Sequence, residues 1–319
     1  MDILKLNPVF KDYLWGGTRL KTDFGFDCDC DYDKVAEGWM LSCHKDGRNT
    51  IDGGAFDGKS LDDVINEAGS IKVVGTRAAD FPYFPILIKL IDAKDNLSIQ
   101  VHPNNEYARR VEGEFGKTEI WYVLDAAEDA QLIYGFKEKI SSEEFAKAIE
   151  NNTLTDVLNS VKVKKGDLLF IEAGTVHAIC KGILVAEIQQ NSNTTYRVYD
   201  YGRVGADGKP RELHIKKAVD VSVTEPPKYD IKPMGEPVDK GSYIETLLTE
   251  CDLFTVHHYD VKESVTLFTD EKSFNHILIV DGNGELDGRV FKKGDSFFVP
   301  ANYGEYTING KCEIIISKI

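Results

Sequence analysis

Positive charge is scarce. The 319-residue chain carries 38 Lys and Arg against 53 Asp and Glu, a formal net charge of −15. A phosphate backbone calls for clustered Lys and Arg, so this balance argues against nucleic acid as a partner. An anionic small molecule would need a local cationic pocket, because the overall field repels it. Long apolar runs are missing too. Stretches such as "PILI" and "HILIV" are far too short to span a bilayer, and no membrane span is expected. The opening "MDILKLNPVF" has no apolar core of a secretory signal, so the expected location is the cytoplasm. Cysteine is sparse: six are scattered along the chain, two of them (Cys28 and Cys30) in the acidic stretch "DCDCDYD". One such pair is weak ground for a metal site, and these are read as free thiols in a reducing compartment.

What is present is an ordinary globular composition, 42% hydrophobic and 29% charged, long enough for about two domains of roughly 150 residues. Helical pattern is confined to 60–69, 105–113 and 141–160, the last opening with a capping box, Ser141 to Glu144. Most of the rest reads as short strands, among them 119–125, 130–136, 167–173, 183–190 and 194–202. Val-, Ile-, Tyr- and Phe-rich strands punctuated by Gly, Asn and Asp predict a sandwich or barrel. Residues 225–241 hold four of the ten prolines and read as a linker, dividing the chain into 1–236 and 237–319.

A faint repeat crosses that division. "KKGDLLFIEAGTVHAI" (164–179) resembles "KKGDSFFVPANYGEYTI" (292–308), and Glu305 stands where the first copy has His177. One sandwich module therefore occurs twice, and the fold does not require His177. No metal or catalytic residue is expected in the second copy.

"LSIQVHPNN" (97–105) alternates as a strand, with Ser98, Gln100 and His102 on one face. On a following strand Lys117, Glu119 and Trp121 share a face. His and carboxylate side chains suit zinc or a similar divalent ion. By spacing alone, Gln100, His102, Glu119 and His177 are either metal ligands or hydrogen-bonded groups at a barrel mouth. The segment 187–203 reads as a hairpin turning at Asn191–Asn193, with Glu187 on one strand and Thr195, Arg197 and Tyr199 on the other. An arginine among tyrosines is costly to bury without an anion. Arg197 either meets such an anion or pairs with Glu187 at a rim.

Taken together, "LSIQVHPNN", "GKTEIWYVL", "AGTVHAI" and "NTTYRVYDYGR…RELHIKKA" resemble the type I phosphomannose isomerases, zinc-dependent members of the cupin superfamily. "YLWGG" (13–17), "VAEGWMLSCH" (35–44) and "FPILIKLIDAKDNLSIQVHP" (84–103) match the same family. The resemblance runs from about residue 7 to 223 and fits the short bacterial form. It implies a mainly β chain: a catalytic cupin-type jelly-roll sandwich, a degenerate C-terminal cupin-like sandwich and a few short helices. It implies one zinc ion per chain, held by Gln100, His102, Glu119 and His177, with Arg197, Lys117 and Glu187 as catalytic residues. Ser98, Lys89, Arg203, Trp15 and Glu37 fall on positions that bind the substrate. Two departures stand out: Glu172 replaces a frequent proline before Ala-Gly, and Asn193 stands where many members have Asp. The implied reaction interconverts mannose 6-phosphate and fructose 6-phosphate through a cis-enediol, with Glu187, Lys117 or a zinc-bound water as base. The partner is then a small sugar phosphate and the assembly a monomer or weak homodimer. A non-catalytic sugar-phosphate binder and another metal-dependent cupin enzyme are the alternatives.

Overall fold

The computed structural model describes residues 1–28, 34–204 and 208–319. Strand dominates, 41% against 17% helix, and the strands form three antiparallel sheets among these residues. The expected helices at 60–69 and 105–113 are present as Leu61–Ala68, capped by Ser60, and Asn105–Val111, capped by Asn104. The third helix is shorter than expected. Ser142–Glu150 opens with the predicted capping box, but Asn152 (φ 56°) ends it, and after one turn, Leu154–Val157, the chain becomes the strand Leu158–Lys162. Of the cysteines, Cys43, Cys180, Cys251 and Cys312 are free, as expected. Cys28 departs from expectation in being disulfide-bonded, and Cys30 lies outside the described residues.

A six-stranded sheet runs in the order Leu168–Ile171, Glu119–Ala126, Ile183–Gln190, Ile86–Ala93, Glu37–Leu41, Val9–Lys11. Its central strands Ile86–Ala93 and Ile183–Gln190 are buried at every residue. Successive side chains leave a strand on opposite faces, so burial throughout means that both faces are covered. Ile86, Ile88 and Leu90 join Ala186 and Ile188 in one core against Val256, Leu278, Phe298 and Ile315 of a ten-stranded sheet. The opposite face, with Ile91, Trp121 and Val185, packs on Leu132, Tyr134 and Ile179 of a five-stranded sheet. That third sheet runs Tyr196–Tyr199, Ile99–Val101, His177–Ile179, Gln131–Phe136, Leu158–Lys162.

The ten-stranded sheet curls around its own core of Val261, Ile279, Phe297, Ile308 and Ile314. Its long strands Asn275–Leu286 and Gly304–Lys318 bend together at Gly282 (φ +80°), where a Cβ would lie 2.2 Å from the Lys311 carbonyl oxygen. Only glycine tolerates that approach and that φ. The sheet also takes in the start of the chain: Leu4–Asn7 pairs antiparallel with Ser296–Val299, Leu4 opposite Phe298.

The hairpin expected at 187–203 does not form. Ile183–Gln190 belongs to the six-stranded sheet, whereas Tyr196–Tyr199 pairs with Ile99–Val101 in the five-stranded one. The intervening polar residues are used to cross between sheets. Gln189 Nε2 donates to the Gln190 and Ser192 carbonyls at 2.8 and 2.6 Å, and Asn191 Nδ2 donates to the Phe84 carbonyl at 2.8 Å. These bonds satisfy a buried crossing that a two-residue turn would not need. The crossing puts Glu187 and Arg197 on opposite walls.

Candidate metal centre and cavity

The two sandwiched sheets each contribute a row of polar side chains. In the five-stranded sheet, Gln100 pairs with Arg197 on one side and His177 on the other. In the six-stranded sheet, Glu187 pairs with Lys89 on one side and Trp121 on the other. Between the rows lies a cavity of about 270 Å³, lined by Tyr13, Trp15, Glu37, Lys89, Ser98, Gln100, Lys117, Trp121, Glu187, Asn193, Thr195, Arg197 and Arg211 among others.

Beneath Lys117, His102, Glu119 and His177 converge, all fully buried, with one ligand atom each inside a 4.8 Å span. His102 Nε2 lies 3.1 Å from His177 Nε2, and the Glu119 carboxylate lies 3.7 and 3.5 Å from the two rings. Each imidazole has its other nitrogen committed: His102 Nδ1 to the Thr194 carbonyl at 2.9 Å and His177 Nδ1 to the Thr175 carbonyl at 2.8 Å. A carbonyl only accepts, so both Nδ1 atoms carry the proton and both Nε2 lone pairs face inward. Burial, reinforced at His102 by Lys117, holds both rings neutral, His102 well below its ordinary value and His177 at about 4. Neither Glu119 oxygen has a hydrogen bond, although Lys117 Nζ approaches one to 2.7 Å. Burial, then the charge of Glu187, push this carboxyl up to about 7.

Lys117 Nζ, 3.2 Å from His102 Nε2 and 2.7 Å from Glu119 Oε2, answers one lone pair and one carboxylate oxygen, which leaves the His177 Nε2 lone pair and Glu119 Oε1 facing each other at 3.5 Å with no donor between them. Ligands about 2.0–2.2 Å from one ion at a tetrahedral angle stand about 3.3–3.6 Å apart, close to the separations here. The donor set fits a divalent metal, and the Nδ1 bonds supply the outer contacts that orient metal-bound histidines. Gln100 lies beside this group, its Oε1 accepting from Ser98 Oγ at 3.4 Å.

A chain of alternating buried charges leads away from the centre. Lys117 Nζ is 3.6 Å from Glu187 Oε1, which is 3.1 Å from Lys89 Nζ, which is 3.7 Å from Glu37 Oε2. Burial pushes the Glu187 carboxyl up, but the ammoniums of Lys117 and Lys89 overcome this and hold it at about 2. Burial likewise lowers Lys89, yet Glu187 and Glu37 hold it above its ordinary value. Trp121 Nε1 donates to Glu187 and Trp39 Nε1 to Glu37, at 3.0 and 2.7 Å.

At the mouth, Arg197 is half-buried. It does not pair with Glu187: Nε donates to Ser98 Oγ at 3.3 Å and Nη1 to the Glu212 carbonyl at 3.0 Å. Burial and the neighbouring Arg211 lower its pKa. Arg203 sits behind, bonded to Asp200 and to the Asn96 carbonyl, and does not line the cavity. Arg211, which sequence reasoning passed over within "RELHIKKA", lines it instead, with Nε on Asp200 at 2.7 Å. Asn193 faces the same mouth and donates to Asp46 Oδ2 at 2.9 Å. Every other expected site residue lines the cavity or lies directly beneath it.

Comparison with known proteins places the whole chain beside one family. Residues 3–131 match the family model "Phosphomannose isomerase type I, catalytic domain", and 243–319 match "Mannose-6-phosphate isomerase, cupin domain". The mannose-6-phosphate isomerase ManA of Bacillus subtilis is 39% identical, with 99% of this chain and 98% of the relative covered. The mannose-6-phosphate isomerase of Streptococcus mutans is 35% identical over 95% and 94%. The crystal structure of a B. subtilis mannose 6-phosphate isomerase superposes with a TM-score of 0.90 at 36% identity, covering 100% of both chains.

Proposed function

The chain belongs to the type I phosphomannose isomerases, and from that premise we propose that its cavity interconverts mannose 6-phosphate and fructose 6-phosphate through a cis-enediol with the help of one zinc ion. The observation that carries the metal is the pair of inward Nε2 lone pairs on His102 and His177, 3.1 Å apart beside Glu119. Gln100 completes the set as a weaker amide ligand. When bound, the ion supplies Lewis acidity toward the oxygens at C1 and C2, where negative charge develops.

The protein's own groups do the rest. Arg197 and Arg211 face the mouth; Arg211 bonds the buried Asp200 carboxylate, which Arg203 shares, while the Arg197 guanidinium is bonded to a hydroxyl and a carbonyl only, so positive charge is left for a phosphate dianion. Ser98, hydrogen-bonded to Arg197, sits at the same end. Arg197 additionally stabilises charge that develops toward the enediolate. The ammoniums beside it hold the Glu187 carboxyl below its ordinary value, which weakens it as a base. Its role is to hold Lys117 and Lys89 in place. Lys117 bridges Glu119 and Glu187 as an ammonium, with no lone pair to take a proton, and is placed to hydrogen-bond the substrate oxygens on which charge develops. Trp15 and Trp121 wall the cavity against water, and Glu37 anchors Lys89. Residues 1–236 carry the centre. Residues 237–319 form a buttressing sandwich without metal, which borrows Leu4–Asn7. Isomerase assays on mannose 6-phosphate with metal content measured on the same sample test this reading.

A further inference from the structure

The two imidazoles at the centre are fixed in different ways. Thr175, whose carbonyl holds His177 Nδ1, belongs to a tight turn closed by its own backbone, Thr175 N donating to the Glu172 carbonyl at 3.0 Å. Thr194, whose carbonyl holds His102 Nδ1, lies between strands in the segment that crosses from one sheet to the other. Its position depends on side chains. Ser192 Oγ accepts from Thr194 N at 3.3 Å, and Glu114 Oε2 accepts from Thr194 Oγ1 at 3.2 Å.

Glu114 is itself well anchored. It follows the helix Asn105–Val111, and Phe115 N donates to the Tyr83 hydroxyl at 2.8 Å. Gly116 N donates to Asn105 Oδ1 at 2.9 Å, and Lys117 N donates to the Pro103 carbonyl at 3.0 Å. The same segment leads directly into Lys117 and Glu119. Lys45 Nζ, on an exposed side chain, bonds the other Glu114 oxygen at 2.6 Å.

We infer that Glu114 is a positioning residue for the metal centre. Through the Thr194 hydroxyl it fixes the Thr194 carbonyl, and that carbonyl sets the tautomer and tilt of His102. Glu114 thereby links the segment that delivers Glu119 to the crossing that orients His102. The inference rests on the metal reading proposed above.

The test measures zinc affinity of the full chain by chelator competition, together with the visible spectrum of the cobalt-substituted protein. Loss of an outer contact to a metal-bound histidine typically weakens metal binding by about 10–100-fold. Glu114→Ala and the near-isosteric Thr194→Val keep the carbonyl but release it, so both should weaken zinc binding by about tenfold, the lower end of that range, with the same change in the cobalt spectrum. Glu114→Gln, whose amide oxygen still accepts from the hydroxyl, should stay within about threefold of the parent, as should Lys45→Ala. Parent-like affinity and spectrum in Thr194→Val, or a Glu114→Gln as weak as the alanine variant, would overturn the inference. His102→Ala serves as the control. If it too keeps parent zinc affinity, the metal centre itself is wrong, whereas loss there alone leaves the centre standing and removes only the role of Glu114.

Discussion

Glu187 and Lys89 face each other on adjacent strands, carboxylate to ammonium at 3.1 Å, and both side chains are almost fully buried. Each is charged because the other is, and Lys117 and Glu37 extend the arrangement on either side. Removing one member of such a pair leaves an uncompensated buried charge and costs about 3–5 kcal/mol. Lys89→Met should therefore lower the unfolding free energy by that order in denaturant titrations. The double variant Lys89→Met/Glu187→Gln should recover a large part of it. Additive losses in the double variant would show that the two groups do not stabilise each other.

Arg197 and Arg211 share the mouth but differ in what they touch. Arg197 reaches inward to Ser98, while Arg211 leans on Asp200. Removing a group that stabilises charge only in the transition state lowers kcat, whereas removing uniform binding raises KM. Arg197→Ala should lose about 10²–10³-fold in kcat, the scale of one electrostatic donor. Arg197→Lys should recover only part, since an ammonium lacks the planar fork. Arg211→Ala should raise KM with kcat nearly unchanged. Steady-state kinetics with metal content checked will separate them, and a KM-only effect at Arg197 would move it to the phosphate alone.

The C-terminal repeat provides a prediction about His177. Its counterpart position holds Glu305, on the well-formed strand Gly304–Lys318. His177→Ala should therefore lose zinc and activity yet keep the β-rich circular dichroism spectrum. Failure of the variant to fold would mean that the metal is structural.

His276, remote from the centre, gives a pH dependence. Ser296 Oγ donates to the Met40 carbonyl at 2.7 Å and so accepts from His276 Nε2 at 2.8 Å, while Nδ1 has no partner. Burial pushes this imidazole down to about 3. Its folded pKa lies below the unfolded value, so the unfolded chain takes up a proton first, and stability falls as pH drops from about 6.5 toward 3. The slope is about 1.4 kcal/mol per pH unit for one proton. His276→Gln should flatten the stability curve across that window by one proton, as read from denaturant titrations at several pH values. An unchanged slope would show that His276 is charged in the folded protein.

Much of the centre was legible because alternation is local. Ser98, Gln100 and His102 share a face by spacing alone, as do Lys117, Glu119 and Trp121. The crossing at 190–195 was not, because the bonds that dictate it, such as Asn191 to the Phe84 carbonyl, join distant segments. The same residues read locally as turn formers. Arg211 stayed hidden for a similar reason: a loop delivers it, and loops carry no periodicity to point the side chain. The pairing of Leu4–Asn7 with Ser296–Val299 spans almost the whole chain, beyond the reach of any pattern window.

The proposed role of His102, Glu119 and His177 is to hold a metal ion on which isomerisation depends. The direct measurement follows zinc per chain by elemental analysis, and mannose 6-phosphate turnover, through chelation and stepwise re-addition. Turnover should fall with zinc and return in proportion to it, saturating at about one ion per chain, as one such His–Glu–His cluster implies. Full turnover in protein shown to hold no metal would contradict it.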